Sequence, residues 1–237
     1  AEKVIVQEGT QDFSEIEKAY ADGFVATRLG KGKFQQTRSV RIDLQKFFLT
    51  SENRRILKKT EPLTLQAVAL PISASNYDWH IHKIGSDFYT KKFGDGTFSA
   101  NKIKSILTDE SASSFTTLFT YNLTAGYCIA LETPNIIHYS YPFYRLEEAN
   151  VGEPTEKNVA EIIPKDMGMG MMVRAIEYAK ASGKKYIYLG SLQRPGDIYK
   201  LQFEGIEWFN GKNWSSDLEE AKSILKASEK LINQEHA

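Results

Sequence analysis

Three apolar segments in the middle of the chain follow one another so closely that they limit the folds open to it. They span 115–121, 125–132 and 136–144, are rich in β-branched and aromatic residues, and are separated by three residues each. Runs of this kind are typical of β-strands. Because a parallel connection needs a dozen or more residues, the short links favour antiparallel pairing. The sequence therefore predicts a three-stranded antiparallel meander.

Helices and strands are predicted on both sides of this meander. A strand and two helices precede it, at 63–70, around 77–88 and from Ser99 onward. The elements predicted after it are a helix at 168–182, a strand at 185–190, a helical turn at 195–203, a hairpin at 206–214 and a helix with a capping box from Ser216 to Glu219. This order resembles the GNAT acyltransferase fold. The resemblance implies an α/β (α+β) class with a mixed, mostly antiparallel sheet flanked by helices.

The N-terminal part, 1–62, is expected to form a small basic extension to the domain at 63–237. It is predicted to contain a helix near Phe13–Ala21, a strand near Ser39–Leu44 and a short helix with Ser51 as N-cap. Between positions 28 and 59, ten basic residues face two acidic ones, whereas the whole chain has 30 of each sign. The balanced total excludes a general nucleic-acid coat protein, so a nucleic acid would have to bind this local patch.

Cysteine content and hydropathy exclude several other classes. The single cysteine, Cys128, lies in an apolar run, so no intrachain disulfide and no multi-cysteine metal site can form. His80 and His82 are two apart on a predicted helix and point in different directions, so no metal is expected. The apolar runs are far shorter than the roughly 20 residues of a membrane span, and the N-terminus lacks a signal peptide's apolar region. We expect a cytoplasmic protein without a membrane partner.

A glycine pair at the start of the 168–182 helix is the sharpest local motif. Lys165, Gly168, Met169 and Gly170 run directly into this helix. Backbone N–H groups at such a start can hold an anion, helped by the helix dipole. The motif resembles the pyrophosphate loop of GNAT enzymes, with Lys165 where Arg or Gln is usual. The alternative is a glycine turn that binds no ligand.

The strand at 136–144 and the segment after the 185–190 strand carry the candidate catalytic side chains. Pro142 cannot donate a ladder hydrogen bond, which predicts a bulge or an unpaired edge where a GNAT sheet splays. His138 and Tyr144 lie on this strand and are candidates for proton transfer, although packing roles are an alternative. Without a phase shift, strand alternation puts Tyr139 and Tyr141 on the same face. The GNAT resemblance makes Tyr199, followed by Lys200, the candidate general acid.

The wider pattern resembles the arginyl- and leucyl-tRNA–protein transferases. It covers most of residues 20–214 and rests on the Arg-Ile dipeptide at 41–42, the Ser-x-x-Arg-Arg run at 51–55, and the segments 141–144, 186–190, 198–200 and 211–214. It implies transfer of an aminoacyl group from tRNA to the N-terminal amine of a protein or peptide that begins with an acidic residue. By the same resemblance, the nucleic-acid-binding residues would be Arg54, Arg55, Lys58 and Lys59.

Three departures from that family pattern, and two alternative functions, stand beside this hypothesis. The family's cysteine cluster is missing before Arg41, Arg145-Leu146 stands where the family often has Asp-Pro, and an acidic insertion occupies about 147–166. The first alternative is an N-acetyltransferase that binds acetyl-CoA at the glycine pair. The second is a protein that binds acidic N-termini without turnover. No permanently bound cofactor is expected, because aminoacyl-tRNA or acetyl-CoA would be a co-substrate.

Overall fold

The computed structural model describes residues 1–4, 12–121, 126–146 and 166–235. Its N-terminal part forms a small antiparallel sheet in the order β1-β3-β2, from strands Glu2–Val4 (β1), Phe24–Ala26 (β2) and Lys33–Gln36 (β3). Helix α1, Phe13–Ala21, is the one predicted from the sequence. Its N-cap is Asp12, whose side chain accepts a hydrogen bond from the backbone N–H of Ser14.

Eight strands form the large sheet in the order β11-β10-β4-β9-β8-β7-β6-β5. Their ranges are Ser39–Asp43 (β4), Leu65–Ala69 (β5), Thr117–Tyr121 (β6), Gly126–Glu132 (β7), Ile136–Tyr144 (β8), Tyr186–Ser191 (β9), Ile206–Phe209 (β10) and Trp214–Ser215 (β11). All pairs are antiparallel except β8 with β9. The predicted meander is confirmed as β6, β7 and β8.

The helices lie between these strands in the order expected for a GNAT-like fold. They are Ser51–Lys59 (α2), His80–Phe93 (α3), Ala100–Thr108 (α4), Met167–Ala181 (α5), the 3₁₀ helix Pro195–Gln202 and Leu218–Glu235 (α6). Helices α3 and α4 connect β5 to β6, and α5 connects β8 to its parallel neighbour β9. The fold class is therefore confirmed as a GNAT-like α/β fold with a mostly antiparallel sheet.

The two faces of the large sheet are covered by different helices. Phe119, Tyr121 and Gly126 lie on the face that contacts α5: the Phe119 ring packs on Tyr178, and a Cβ at Gly126 would lie 2.7 Å from Met171 Sδ. On the opposite face, α3 packs on β8. Cys128 is fully buried in this sheet, as its apolar run indicated.

Strand β4 comes from the predicted N-terminal extension and lies inside the large sheet, between β9 and β10. Its Arg41 is buried between the rings of Tyr186 and Trp214, and the Arg41 Cζ atom lies 3.8 Å and 3.9 Å from their ring centroids. The Arg41 Nε donates to Glu207 Oε2 at 2.9 Å. The Arg41 side chain therefore joins β4 to β9, β10 and β11 through an ion pair and stacking on two rings.

Two predicted helix caps are wrong by one residue. Thr50, not Ser51, is the N-cap of α2: its side chain accepts from the Asn53 N–H, and the Asn53 side chain accepts from the Thr50 N–H. At α6, Asp217 accepts from the N–H of Glu220 in place of the predicted pair Ser216 and Glu219. Each cap has a neighbour that also carries a side-chain oxygen able to cap, Ser51 beside Thr50 and Ser216 beside Asp217. The sequence pattern therefore could not determine which of the two residues is the cap.

Candidate functional site

The sheet opens between β8 and β9. These strands pair at only three positions and separate after His138 and Tyr188. Immediately beyond that point each strand has an extra residue relative to its other neighbour, Ser140 on β8 opposite β7 and Leu189 on β9 opposite β4. A bulge bends its strand and increases its twist, so two bulges at the same level direct the strands apart. We call the space between them the gap.

The bulge at Ser140 shifts the phase of β8. Directly opposite residues of an antiparallel pair share a face, and Tyr139 is opposite Ala130 whereas Tyr141 is opposite Ile129. Tyr139 and Tyr141 therefore lie on opposite faces, because a phase shift, the exception to simple alternation along this strand, does occur here. His138 and Tyr141 share the α3 face instead.

Tyr144 lies at the end of β8 and contacts both α3 and α5. Its ring centroid lies 4.9 Å from that of Phe88 on α3. A Cβ at Gly168 on α5 would lie 3.5 Å from Tyr144 Cε1. Burial raises the pKa of Tyr144, so its hydroxyl stays protonated at neutral pH. On the other side, Gln202 Nε2 lies 3.8 Å from Met169 Sδ and joins the 3₁₀ helix to the start of α5.

Lys200 is buried at the β9 side of the gap and is held by two acceptors. Its Nζ donates to the Ser191 carbonyl oxygen at 2.9 Å and pairs with Asp197 Oδ1 at 3.1 Å. Gly190 has φ +93°, and a side chain there would bring its Cβ within 3.4 Å of Nζ. The absence of a side chain at Gly190 thus gives the ammonium room beside β9. Burial lowers the pKa of Lys200, and Asp197 opposes that shift.

Tyr199 precedes this lysine and is 40% exposed. Burial of the hydroxyl raises the pKa of Tyr199 to about 12, and the Asp197 carboxylate adds to the shift. At neutral pH the phenol is therefore protonated and can donate a proton or a hydrogen bond but cannot serve as a ready base. The Lys200 Nζ lies 5.9 Å from the Tyr199 ring centroid, so the two predicted residues lie close together.

His138 occupies the last paired position before the gap and is buried. Its Nδ1 lies 2.6 Å from the hydroxyl of Tyr20 on α1, which also accepts from the N–H of Ala26 at 3.1 Å. Burial lowers the pKa of His138 to about 3, and the charge of Lys200 adds to this effect. The imidazole is thus neutral at physiological pH. A tyrosine partner far away in sequence could not be found from the pattern around His138.

The start of α5 differs from an open glycine loop. The N–H of Gly170 donates to the Asp166 carbonyl at 2.8 Å, and a Cβ at Gly170 would lie 2.6 Å from Thr60 Oγ1. Gly170 therefore allows α5 to pack closely on the end of α2. Among the described residues, no side chain caps the first turn of α5. Lys165 and the acidic insertion, apart from Asp166, lie outside the described residues.

The four predicted nucleic-acid-binding residues are exposed on α2. Lys59 Nζ lies 3.4 Å from Asp166 Oδ2, directly before α5, which places this basic helix beside the predicted anion-binding turn. Arg55 pairs with Glu52 at 2.7 Å, and Arg54 donates to the Leu49 carbonyl at 2.6 Å. The structure thus brings the basic residues and the glycine pair together.

Arg174 on α5 holds α2 in this position and was missed by the sequence analysis. Its guanidinium donates to the Leu63 carbonyl at 2.6 Å, the Thr60 carbonyl at 2.6 Å and Thr60 Oγ1 at 2.8 Å. A planar group with five donors fits several acceptors at once, which a lysine could not do. The guanidinium also donates to the Gly170 carbonyl at 3.1 Å, but nothing in the sequence around Arg174 indicates its contacts with Thr60 and Leu63.

The two histidines near the start of α3 have separate partners. His80 Nδ1 lies 2.6 Å from Asp78 Oδ1, and His82 Nδ1 lies 2.7 Å from the Tyr77 hydroxyl. Within the described ranges, no group of three metal-ligating side chains is found. None of the helices in that part of the chain combines the length and apolar character needed to span a bilayer.

Comparisons with known proteins give one distant structural similarity to report. No family model matches the chain, and no curated protein matches its sequence. Among solved structures, the chain is similar to the C-terminal domain (DUF2156) of an Agrobacterium fabrum protein named as a lysylphosphatidylglycerol synthetase. The identity is 13%, the TM-score is 0.41, and the alignment covers 75% of this chain and 50% of that chain. The chain thus spans half the length of that structure.

Proposed function

We propose that the protein is an aminoacyltransferase that takes its acyl group from aminoacyl-tRNA and transfers it to the N-terminal amine of a protein or peptide. The observation that carries this proposal is that the basic helix α2 packs against α5, the helix that connects the two strands on either side of the gap, β8 and β9. Arg54, Arg55, Lys58 and Lys59 are exposed there, and Lys59 contacts the residue before α5. A polyanionic donor bound on α2 would have its acylated end close to the gap.

The free edge of β8 argues against coenzyme A as the donor. Beyond His138 this edge has no strand partner on the β9 side among the residues that the structure describes, but Pro142 offers no N–H. The Pro142 carbonyl already accepts from the Tyr89 hydroxyl at 2.8 Å. The pantetheine arm of coenzyme A carries amide groups that need hydrogen-bond partners, and Pro142 leaves them few along this edge. The space beside Gly170 is likewise filled by Thr60.

The proposed reaction needs positioning and proton transfer rather than a cofactor. The amine nitrogen of the acceptor attacks the carbonyl carbon of the aminoacyl ester, and the ester C–O bond then breaks. The proton lost by the amine ends on the terminal ribose hydroxyl of the tRNA. Tyr199, which is protonated at neutral pH, would assist protonation of this leaving oxygen. Holding the amine and ester together in the gap would supply much of the acceleration.

An acyl-CoA-dependent N-acetyltransferase is the second candidate. The observation in its favour is the first turn of α5, which among the described residues has no side-chain cap and could bind a pyrophosphate through its N–H groups. This function would use Gly168 and Met169 directly and would not need the basic face of α2. The two donors therefore make different demands on the same protein.

Binding measurements at several salt concentrations distinguish the two donors. We expect deacylated total tRNA to bind with an affinity that falls steeply with salt, and acetyl-CoA not to raise the melting temperature. Replacing Arg54 and Arg55 by Glu should reduce the slope of log affinity against log salt by about 0.7 to 0.9 per lost phosphate contact. A charge-matched control replaces Lys226 and Lys230 of α6, both exposed, by Glu. Equal effects of the two double variants, or stabilisation by acetyl-CoA alone, would contradict the proposal.

A further inference from the structure

Asp197 organises the turn between β9 and the 3₁₀ helix and at the same time contacts Lys200. Its Oδ2 accepts from the backbone N–H groups of Gln193 at 3.0 Å and Arg194 at 2.8 Å. Its other oxygen, Oδ1, pairs with Lys200 Nζ at 3.1 Å. The carboxylate thus fixes the lysine relative to the end of β9, where the strand leaves the gap.

Within the part of the chain that the structure describes, the contacts of Lys200 leave one N–H of its ammonium for a further acceptor. A lysine ammonium carries three N–H donors and no acceptor. The Ser191 carbonyl and Asp197 take two of them, and Gly190 places no side chain next to Nζ. A buried cation with one uncommitted donor, fixed at the end of β9, is suited to bind an oxygen that becomes negative during a reaction.

We propose that Lys200 binds the carbonyl oxygen of the acyl donor through this third N–H, and that Asp197 is the positioning residue that keeps the ammonium charged and in place. This inference rests on the proposed function, because it concerns the same transfer. When the amine attacks, the carbonyl electron pair moves to that oxygen, and the ammonium stabilises the resulting oxyanion. When the ester C–O bond breaks, the pair returns and Lys200 keeps its proton.

The charged groups around Lys200 determine how the pair responds to pH. Asp197 favours the ammonium, whereas burial and the Arg194 guanidinium oppose it. His138 on β8 is neutral at physiological pH, and Tyr199 stays protonated until strongly alkaline pH. Removal of the Asp197 charge should therefore lower the pKa of Lys200. Activity that needs the ammonium would then be lost at a less alkaline pH.

The test measures single-turnover transfer from charged tRNA to a peptide between about pH 7 and about pH 10. Asp197→Asn retains an oxygen that can accept from the turn but removes the charge, so the alkaline limb of its profile should move toward neutral pH. Lys200→Met should lower the rate by about 100-fold at neutral pH, and the difference from wild type should shrink along the alkaline limb, where wild type also loses the ammonium. An unchanged alkaline limb in Asp197→Asn, or near-normal transfer by Lys200→Met, would overturn the inference.

A second measurement separates this inference from the proposed function. NMR titration of labelled lysine side chains follows the pKa of Lys200 without any turnover. We expect it to be lower in Asp197→Asn than in wild type, and an equal pKa would overturn the role of Asp197. Failure of wild type to transfer from any charged tRNA would overturn the proposed function and, with it, the role of Lys200 in this reaction. Circular dichroism confirms that each variant is folded.

Discussion

Replacing Gly170 by Ala should destabilise the protein, although alanine is the better helix former. An alanine Cβ at this position would lie 2.6 Å from Thr60 Oγ1, 2.7 Å from Cγ2 and 2.9 Å from Cβ. Ordinary contacts begin near 3.4 Å, so α2 and α5 would have to separate by about 0.5 to 0.8 Å. Thr60 cannot turn away freely, because its Oγ1 donates to the Ile56 carbonyl at 2.8 Å and accepts from Arg174 at 2.8 Å.

Two opposing terms set the expected magnitude. Overpacking a well-packed contact costs about 1–3 kcal/mol. Exchange of glycine for alanine inside a helix returns up to about 1 kcal/mol. With the full propensity gain, the free energy of unfolding of Gly170→Ala should therefore fall by up to about 2 kcal/mol. Gly168→Ala is the matched control: its Cβ would lie 3.5 Å from Tyr144 Cε1, an ordinary contact, so its stability should stay equal or rise slightly.

Urea unfolding followed by tryptophan fluorescence measures both variants against wild type. The slope of free energy against urea should be the same for all three proteins, so that the midpoints report stability directly. Gly170→Ala as stable as Gly168→Ala would refute the reasoning that Gly170 exists for packing. It would also return Gly170 to the anion-binding role that the sequence pattern predicted.

Three further perturbations test other parts of the account. Arg174→Lys removes the planar fork that joins α5 to the end of α2, and urea unfolding should show a loss of about 2–3 kcal/mol; a loss within error would contradict that role. In the folded protein the pKa of His138 is about 3, whereas in the unfolded chain it has its ordinary value of about 6.5. Below that pH only the unfolded state binds the extra proton, so the free energy of unfolding of wild type should fall by about 2 kcal/mol by about pH 5. His138→Gln should lack this dependence and His82→Gln should retain most of it; equal slopes in both variants would refute the assignment. Thr50→Ala removes the capping box of α2, and the same unfolding assay should show a loss of about 1 kcal/mol, whereas unchanged stability would exclude the cap as a stabilising element.

Local periodicity was enough to predict the described helices and strands between residues 63 and 235. The meander depends on apolar runs with short links, and α4 begins at Ala100, directly after Ser99, where the sequence predicted the helix to start. The place of β4 could not be predicted in this way. Ser39 pairs with Ser191, far away in sequence, and no local pattern records which strands meet across such a distance.

The candidate site was predicted in part, for similar reasons. Pro142 indicated a bulge on β8 but not its position, and the single extra residue at Ser140 reversed the relative faces of Tyr139 and Tyr141. Tyr199 and Lys200 were identified from a resemblance, whereas Asp197 acquires its role from folded contacts with backbone and ammonium. Such contacts depend on the register of a turn, which composition does not determine.

The most direct test of the central claim is a transfer assay with both donors present. Purified protein is incubated with a pool of tRNA charged with labelled amino acids, with acetyl-CoA, and with a peptide whose first residue is acidic. The proposed function predicts that the label moves from tRNA to the peptide N-terminus and that this transfer is lost when Arg54 and Arg55 are replaced by Glu. An acetylated peptide with all label retained on tRNA would contradict it.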